Sequence, residues 1–515
     1  MGNNNSKSLE SWIWDAACAI RGAQDAPKYK DFILPLIFVK RLCDVFDDEV
    51  NRFAEKLNSK EKAYKAIEKD RKLTRFYIPF RPDNIEDSTW SVIRKLSTKI
   101  GEELTNKLRE IARENQRLQG IIDRVDFNAT THGQRDIDDD KLSNLIEEIS
   151  KKRLGLNDVE PDIIGRSYEY LIRKFAEGGG QSAGEFYTPK EVGMIIARIL
   201  DPEPGMEIYD PCCGSAGLLI KCQLALQEKM HLRSKNRYAP LKLFGQEYIS
   251  STWAMANMNM VIHDMEGIIE IGDTMSTPKF RDGNRIRKFD LVTANPMWNQ
   301  SNFNQKTYES DELERFVAGF PPNGTADWGW VQHILASLKD KGRAGIVLDT
   351  GAVSRGSGNQ STNKEKEIRK WFVEQDLIEC VLYLPENLFY NTPAPGIVLF
   401  LNKKKANGRK NKILLINASK EFQKGQPKNF IPEENQIKIV DTYLNWKEIE
   451  KFSKVIDKDE IVKNDYNLSP TRYIHTAEEE TYRPIGEILE DLKELEQEQK
   501  EIDKELKEIF RKLGY

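Results

Sequence analysis

Apolar and polar positions divide the chain into three zones of different period. From Leu9 to about Lys152, stretches such as 9–20 and 29–45 mix apolar and charged residues at helical spacing, with few strand-like alternations. This predicts a helical domain whose core is Trp12, Trp14, Phe32, Ile33, Leu36, Ile37, Val39 and Leu42. From about Pro161 the pattern changes. A helix through Tyr168, Leu171 and Phe175 runs into Gly178, Gly179 and Gly180, after which short apolar strands alternate with helix-length segments as far as about Ser419. The expected strands are 206–209, 243–245, 268–271, 291–294, 344–348, 378–384 and 397–401. Such alternation implies an α/β fold with a mostly parallel, doubly wound sheet. From about Glu478 the steps alternate between three and four residues: Ile485, Ile488, Leu492, Leu495, Gln499, Ile502, Leu506, Ile509 and Leu513 form a heptad seam with charged flanks. A helix of this kind requires a partner, and polar Gln499 would fix its register. The expected division is 1–155 helical, 156–477 α/β and 478–515 C-terminal helix.

Composition narrows the chemistry. Of 515 residues, 31% are charged, and no apolar run approaches the length of about 20 residues that spans a bilayer. Residues 1–7 contain no stretch resembling a signal peptide, and the match of Gly2 and Ser6 to a myristoylation pattern is read as chance, so a cytoplasmic protein is expected. Six cysteines, at 18, 43, 212, 213, 222 and 380, lack paired CxxC spacing, and the five histidines are isolated. Neither a disulfide framework nor a metal-dependent mechanism is expected. A net charge of −4 leaves room for a local basic face. Lys403, Lys404, Lys405, Arg409, Lys410 and Lys412 read as a solvated hairpin tip, with phosphate contact as the alternative.

Four successive strand ends carry polar groups suited to one ligand crevice, which in open α/β sheets lies beyond the carboxyl ends of the strands. The first is Asp210-Pro211-Cys212-Cys213-Gly214-Ser215-Ala216-Gly217, where small residues let backbone approach a ligand at a helix N-terminus. The pattern is not GxGxxG, and with Asp210 in the crevice a cationic or hydroxyl-bearing ligand is favoured over a pyrophosphate. The second delivers Glu247, suited to two ribose hydroxyls; the third delivers Asp273, suited to an adenine amino group. The fourth ends in Asn295-Pro296-Met297-Trp298. The Asn295 oxygen and the Pro296 carbonyl can both accept from one NH₂ group while Trp298 stacks on the ring that bears it. The bland reading is an Asn-Pro turn with a core tryptophan. A nucleophilic role for Cys212, as in cytosine-C5 chemistry, is disfavoured because the residue falls inside the first ligand turn, whereas a nucleophile should sit near the base, where Asn295 already is.

With these residues in order, the chain resembles the amino-type, S-adenosylmethionine-dependent DNA methyltransferases, and within them the modification subunit of type I restriction-modification systems. Gly184-Glu185-Phe186-Tyr187-Thr188-Pro189 resembles the segment that closes over the methionine part of the cofactor. Asp210 to Gly217 resembles the Asp-Pro-x-x-Gly-(Ser/Thr)-(Ala/Gly)-Gly cofactor loop, Glu247 and Asp273 match the ribose and adenine positions, and Asn295 to Trp298 matches (Asn/Asp)-Pro-Pro-(Phe/Tyr/Trp). Thr325 to Trp328, Gly342 to Ala344, Leu384 to Tyr390 and the N-terminal segments 9–14 and 36–42 add matches specific to the subgroup. One departure is Met297 where the family has a second proline that stiffens the turn.

The resemblance implies a Rossmann-like methyltransferase sheet with an N-terminal helical domain, and adenine-N6 methylation of double-stranded DNA with S-adenosylmethionine as donor and no metal. It implies Asn295, Pro296 and Trp298 as catalytic residues, Tyr390 or Phe389 as a second aromatic wall, and cofactor contacts at Gly184 to Pro189, Asp210, Gly214, Ser215, Ala216, Gly217, Glu247 and Asp273. It also implies a specificity subunit docked through the C-terminal helix, a second modification subunit, and a restriction subunit for cleavage. Alternatives are a related methyltransferase acting on RNA or protein glutamine, and a largely non-catalytic assembly subunit.

Overall fold

The computed structural model of the chain describes residues 9–20, 30–159, 167, 170–171, 188–234, 237–301, 305–359, 363–389, 392–425 and 428–476, with 492, 495, 497–500, 502 and 506 near the C-terminus. Two compact units result, 1–474 and 475–515.

The first third of the larger unit is helical, with α1 (Leu9–Ala19), α2 (Lys30–Leu57), α3 (Lys60–Lys69), α4 (Ile100–Glu114) and α5 (Asp139–Ser150). The apolar stripe of α4, Ile100, Leu104, Leu108 and Ile111, repeats every three or four residues and is buried. Asp138 starts α5 by accepting from the Lys141 backbone N–H at 2.8 Å. The expected core residues are buried apart from Trp14, which packs at the margin. Periodicity did not reveal the charged face of α2: buried Arg41 donates to the Leu154 and Gly155 carbonyls, and buried Asp44 accepts from the Leu154 N–H at 2.7 Å.

The remainder is built on a nine-stranded sheet: β1 (Glu207–Asp210), β2 (Lys242–Glu247), β3 (Gly267–Ile271), β4 (Phe289–Ala294), β5 (Leu338–Asp349), β6 (Ile378–Tyr383), β7 (Gly396–Asn402), β8 (Lys412–Asn417) and β9 (Ser453–Asp457). Their order is β9-β8-β6-β7-β5-β4-β1-β2-β3. Strands β3, β2, β1, β4 and β5 are parallel. Strand β7 runs antiparallel between β5 and β6, because the connection 384–395 is short, carries Pro385, Pro393 and Pro395, and forms no crossover helix among its described residues. Alternation along each strand serves two cores. Ile208, Leu243, Leu291 and Val347 face the layer containing α6 (Lys190–Leu200) and α7 (Gly217–Leu232). Tyr209, Phe244, Val292 and Ile346 face the layer containing α8 (Asp327–Ala336) and α9 (Lys364–Glu374).

All seven expected strands are present, whereas β8 and β9 lie outside that set. β9 is an edge strand with half-buried Lys454 and Val455, so it lacks a clear alternation. The basic stretch is corrected in part: Lys404, Lys410 and Lys412 are exposed as expected of a solvated tip, but β7 and β8 do not pair as a hairpin and the other three cations are held. Lys403 donates to the Leu338 carbonyl at 2.9 Å, buried Lys405 binds Asp376 at 2.6 Å, and Arg409 donates to the Leu444 carbonyl at 2.8 Å. These three cations staple the β7–β8 connection to the body of the fold rather than forming a solvated tip. No helix among the described residues is long and apolar enough to cross a membrane.

In the smaller unit, the described residues 492, 495, 497–500, 502 and 506 are helical. Leu492, Leu495, Ile502 and Leu506 are all exposed there.

Candidate functional site

Strands β1, β2, β3 and β4 deliver Asp210, Glu247, Asp273 and Asn295 to one edge of the sheet, as their parallel order requires. The β1 turn has Gly214 at φ 53 and Ala216 at φ 63, both left-handed, and a Cβ at Gly214 would meet nothing within 4 Å. Helix α7 follows with no side-chain cap, which leaves its first N–H groups available to an anionic ligand group. Asn259 steadies the turn by donating to the Ser215 carbonyl at 3.1 Å.

Asp210 is buried, and its carboxylate accepts from the Cys212 N–H at 3.0 Å. Burial pushes its pKa up to about 8; the Cys212 bond opposes the rise and nearby Glu247 adds to it. Glu247 joins the turn to β2 by accepting from the Gly214 N–H at 3.0 Å and the Ile249 N–H at 2.9 Å. Exposed Tyr248 follows it, and Ile271, paired with Glu247 across β2 and β3, is also exposed. Sequence reading missed this apolar pair beside the two acidic positions. Asp273 caps its own turn, accepting from the Met275 N–H at 2.9 Å and the Ser276 hydroxyl at 2.7 Å. Buried Gln246 holds that turn through the Gly272 and Thr277 carbonyls, at 3.0 and 3.1 Å. Burial, with Asp210 and Glu247 nearby, drives the Cys212 and Cys213 thiols well above their ordinary pKa, so both stay protonated and neither is an activated nucleophile.

Asn295 is 8% exposed and bonded at both ends of its carboxamide. Its Nδ2 donates to Thr188 Oγ1 at 3.0 Å, and its Oδ1 accepts from Trp298 Nε1 at 3.2 Å. Trp298, also 8% exposed, packs edge-on against Phe389 at 4.7 Å between ring centroids. Gly396 makes room for both rings: a Cβ there would lie 2.8 Å from Trp298 and 2.9 Å from Phe389. The open stacking platform expected of Trp298 is thus a packed wall in this conformation, because its N–H is satisfied inward and its ring covers Phe389. Met297 is half-buried. Asn299 continues the turn with φ 52, and its N–H donates to Asp327 at 3.2 Å.

Of the expected cofactor contacts, Thr188, Pro189, Asp210, Gly214, Ser215, Ala216, Gly217, Glu247 and Asp273 are described, and Thr188 is brought to Asn295. Gly184, Glu185, Phe186, Tyr187 and Tyr390 lie outside the described residues, as do Tyr168, Phe175 and Gly178 to Gly180. Among the described residues no group of three His, Cys, Asp or Glu side chains is arranged to hold a metal.

Residues 159–482 match the N-6 DNA Methylase family, and residues 9–149 match the HsdM N-terminal domain. The chain is 36% identical to the MjaVII type I restriction enzyme methylase subunit of Methanocaldococcus jannaschii, over 90% of this chain and 78% of that one. It is 31% identical to the MjaIX methylase subunit of the same organism, over 95% and 88%. Among solved structures, the type I restriction-modification methyltransferase subunit from Streptococcus thermophilus superposes with a TM-score of 0.70 at 26% identity, covering 90% of this chain and 98% of that one. With matches across both the helical and the sheet portions, the chain belongs to the N-6 DNA methylase family and, within it, to the methylase subunits of type I restriction enzymes.

Proposed function

We propose that this chain methylates the N6 amine of adenine in double-stranded DNA, as the modification subunit of a type I restriction-modification complex. The observation that carries the reading is the Asn295 carboxamide, fixed at the end of β4 one strand away from the β1 turn. An exocyclic adenine amine is a poor nucleophile because its lone pair is delocalised into the ring. Asn295 Oδ1 and the Pro296 carbonyl would accept its two N–H groups, orient the nitrogen and support the positive charge that grows on it. No covalent intermediate is needed, in keeping with the protonated thiols of Cys212 and Cys213. The base must leave the duplex, at a cost of a few kcal/mol. Trp298, backed by buried Phe389, would wall the pocket that receives it, with Tyr390 as a further candidate.

S-adenosylmethionine, when bound, supplies the methyl group as a good electrophile on a cationic sulfur. The residues of the β1–β4 edge fit such a ligand. Gly214 and Ala216 keep the turn open, the uncapped start of α7 suits a carboxylate, and buried Asp210 has no cationic partner among the described residues. Glu247 would take the ribose hydroxyls and Asp273 the adenine amine, with Tyr248 and Ile271 beside the ring. Gly184 to Pro189 would close the methionine side.

Site choice would belong to a specificity subunit bound through the C-terminal helix, with a second modification subunit in the complex and a restriction subunit for cleavage. The reading is tested by incubating the full chain, with and without its specificity subunit, with methyl-labelled S-adenosylmethionine and unmethylated DNA. Label recovered as N6-methyladenine only with the partner supports it. Label in cytosine, RNA or protein refutes the substrate assignment.

A further inference from the structure

We infer that Thr188 is a positioning residue which, together with the indole N–H of Trp298, locks the Asn295 carboxamide with its oxygen toward the target amine. The inference rests on the methylation reading above and assigns a role that the motif alone does not. The two ends of a carboxamide have nearly the same size and opposite hydrogen-bonding character. Only the oxygen end can accept from an amine; a flipped Asn295 would oppose NH₂ to NH₂ and repel the substrate. The side chain is therefore useful in one of two orientations of similar shape, and something must choose between them.

The contacts make that choice from both ends. Trp298 Nε1 is a donor only, so it demands Oδ1 at its 3.2 Å contact and would clash electrostatically with Nδ2. Thr188 Oγ1 accepts from Nδ2 at 3.0 Å and so satisfies the end that faces away from the base. One lone pair of Oδ1 is taken by the indole, and the second remains for the amine. The two clamps come from distant parts of the chain, 107 residues apart in the case of Thr188 and Asn295. Thr188 is held in place because Pro189 follows it immediately and α6 begins at Lys190, with Val192, Ile195 and Ile196 buried in the sheet core. Phenylalanine at position 298 would preserve a ring but lose the donor, and valine at 188 would preserve the shape but lose the acceptor.

The test is a double-mutant cycle in the full chain with its specificity subunit, read as kcat for N6-methyladenine formation and as affinity for S-adenosylmethionine. Asn295→Asp presents two equivalent oxygens, so orientation ceases to matter. Thr188→Val is expected to lower kcat by about tenfold or more in the Asn295 protein, and by no more than about threefold in the Asn295→Asp background. Because Thr188 also belongs to the segment placed against the methionine side of the cofactor, any change in affinity for S-adenosylmethionine should be the same in both backgrounds, and Thr188→Ser, which keeps the hydroxyl, should restore most of kcat. Trp298→Phe should show the same background dependence. Equal losses from Thr188→Val in both backgrounds, or a loss confined to cofactor affinity, overturn the lock. If Asn295→Asp is itself inactive, the serine and valine variants decide: full kcat with valine overturns the lock. Absence of N6-methyladenine from the unsubstituted protein would instead refute the methylation reading.

Discussion

Arg355 forms an ion pair with buried Asp327, and the other oxygen of that carboxylate accepts from the Asn299 N–H. The guanidinium also bonds Asp349 at 2.8 Å, Glu365 at 2.7 Å and the Asn299 side chain at 3.0 Å. One cation thus joins the end of β5, the starts of α8 and α9, and the turn that follows Trp298.

Removing that cation leaves the Asp327 carboxylate buried without its ion-pair partner and leaves Glu365 with only the neighbouring Arg369 charge. Arg355→Ala is expected to cost roughly 3 kcal/mol of stability, because breaking one side of a buried pair strands the other. It should also lower kcat by releasing Asn299. Arg355→Lys keeps the charge without the fork and should fall between the two. Urea titration followed by circular dichroism measures the first effect, and an unchanged midpoint would refute it.

Asp210 gives a pH dependence of defined sign. Its folded-state pKa, about 8, lies above the ordinary carboxylate range, so folded protein holds a proton that unfolded protein releases. The stability of the ligand-free protein should therefore fall as pH rises from about 4 to about 8, and this contribution should be level above that. Asp210→Asn should remove the slope. A cationic ligand reverses the preference and ionises the group. S-adenosylmethionine binding should release about one proton near pH 7 and tighten by up to about tenfold per pH unit towards pH 8. Calorimetry in two buffers of different ionisation enthalpy counts the protons, and a count of zero would contradict the assignment.

Gly396 sets the position of the Trp298 ring. In Gly396→Ala the new methyl would lie within 3 Å of both Trp298 and Phe389, and such overpacking typically costs about 1–3 kcal/mol. Because the ring carries the N–H that holds Asn295, kcat should fall while affinity for S-adenosylmethionine stays near that of the unsubstituted protein. Intrinsic tryptophan fluorescence reports the displacement. A variant with unchanged emission and unchanged kcat would show that the ring has slack.

These contacts explain what could be read from the sequence and what could not. Strands β1, β2 and β4 to β7 were legible because each buries an apolar run, whereas β3 was legible from its isoleucines although only Ile269 of them is buried. Strand direction was not: β7 has the same apolar signature as a parallel strand, and only its proline-bearing connection to β6 distinguishes it. Asp210, Glu247, Asp273 and Asn295 were legible because parallel order places strand ends together. Gln246 and Thr188, and Arg355 in its contact with Asp327, act on residues 26 to 107 positions away, through contacts that no local pattern encodes. Trp298 could be recognised as an aromatic beside Asn295, but its inward packing depends on Gly396, a residue without a side chain to announce it.

The C-terminal helix carries the assembly prediction. Leu492, Leu495, Ile502 and Leu506 follow heptad spacing and are all exposed, with Leu495 at 61% and Ile502 at 57%. Burying a side chain of this kind contributes about 1.5–3 kcal/mol, so four of them would supply much of the free energy of a stable subunit contact. Replacing Leu495 and Ile502 together by glutamate removes two such contributions and adds two charges to the seam. Affinity for the specificity subunit should drop by at least about 100-fold, the equivalent of roughly 3 kcal/mol. S-adenosylmethionine binding should be unaffected, because residues 475–515 form a separate compact unit from the sheet that carries Asp210 and Asn295. Co-purification with a tagged specificity subunit, alongside cofactor calorimetry on the same variant, reads both quantities. Retention of the stoichiometric complex by the double variant would place the docking surface elsewhere.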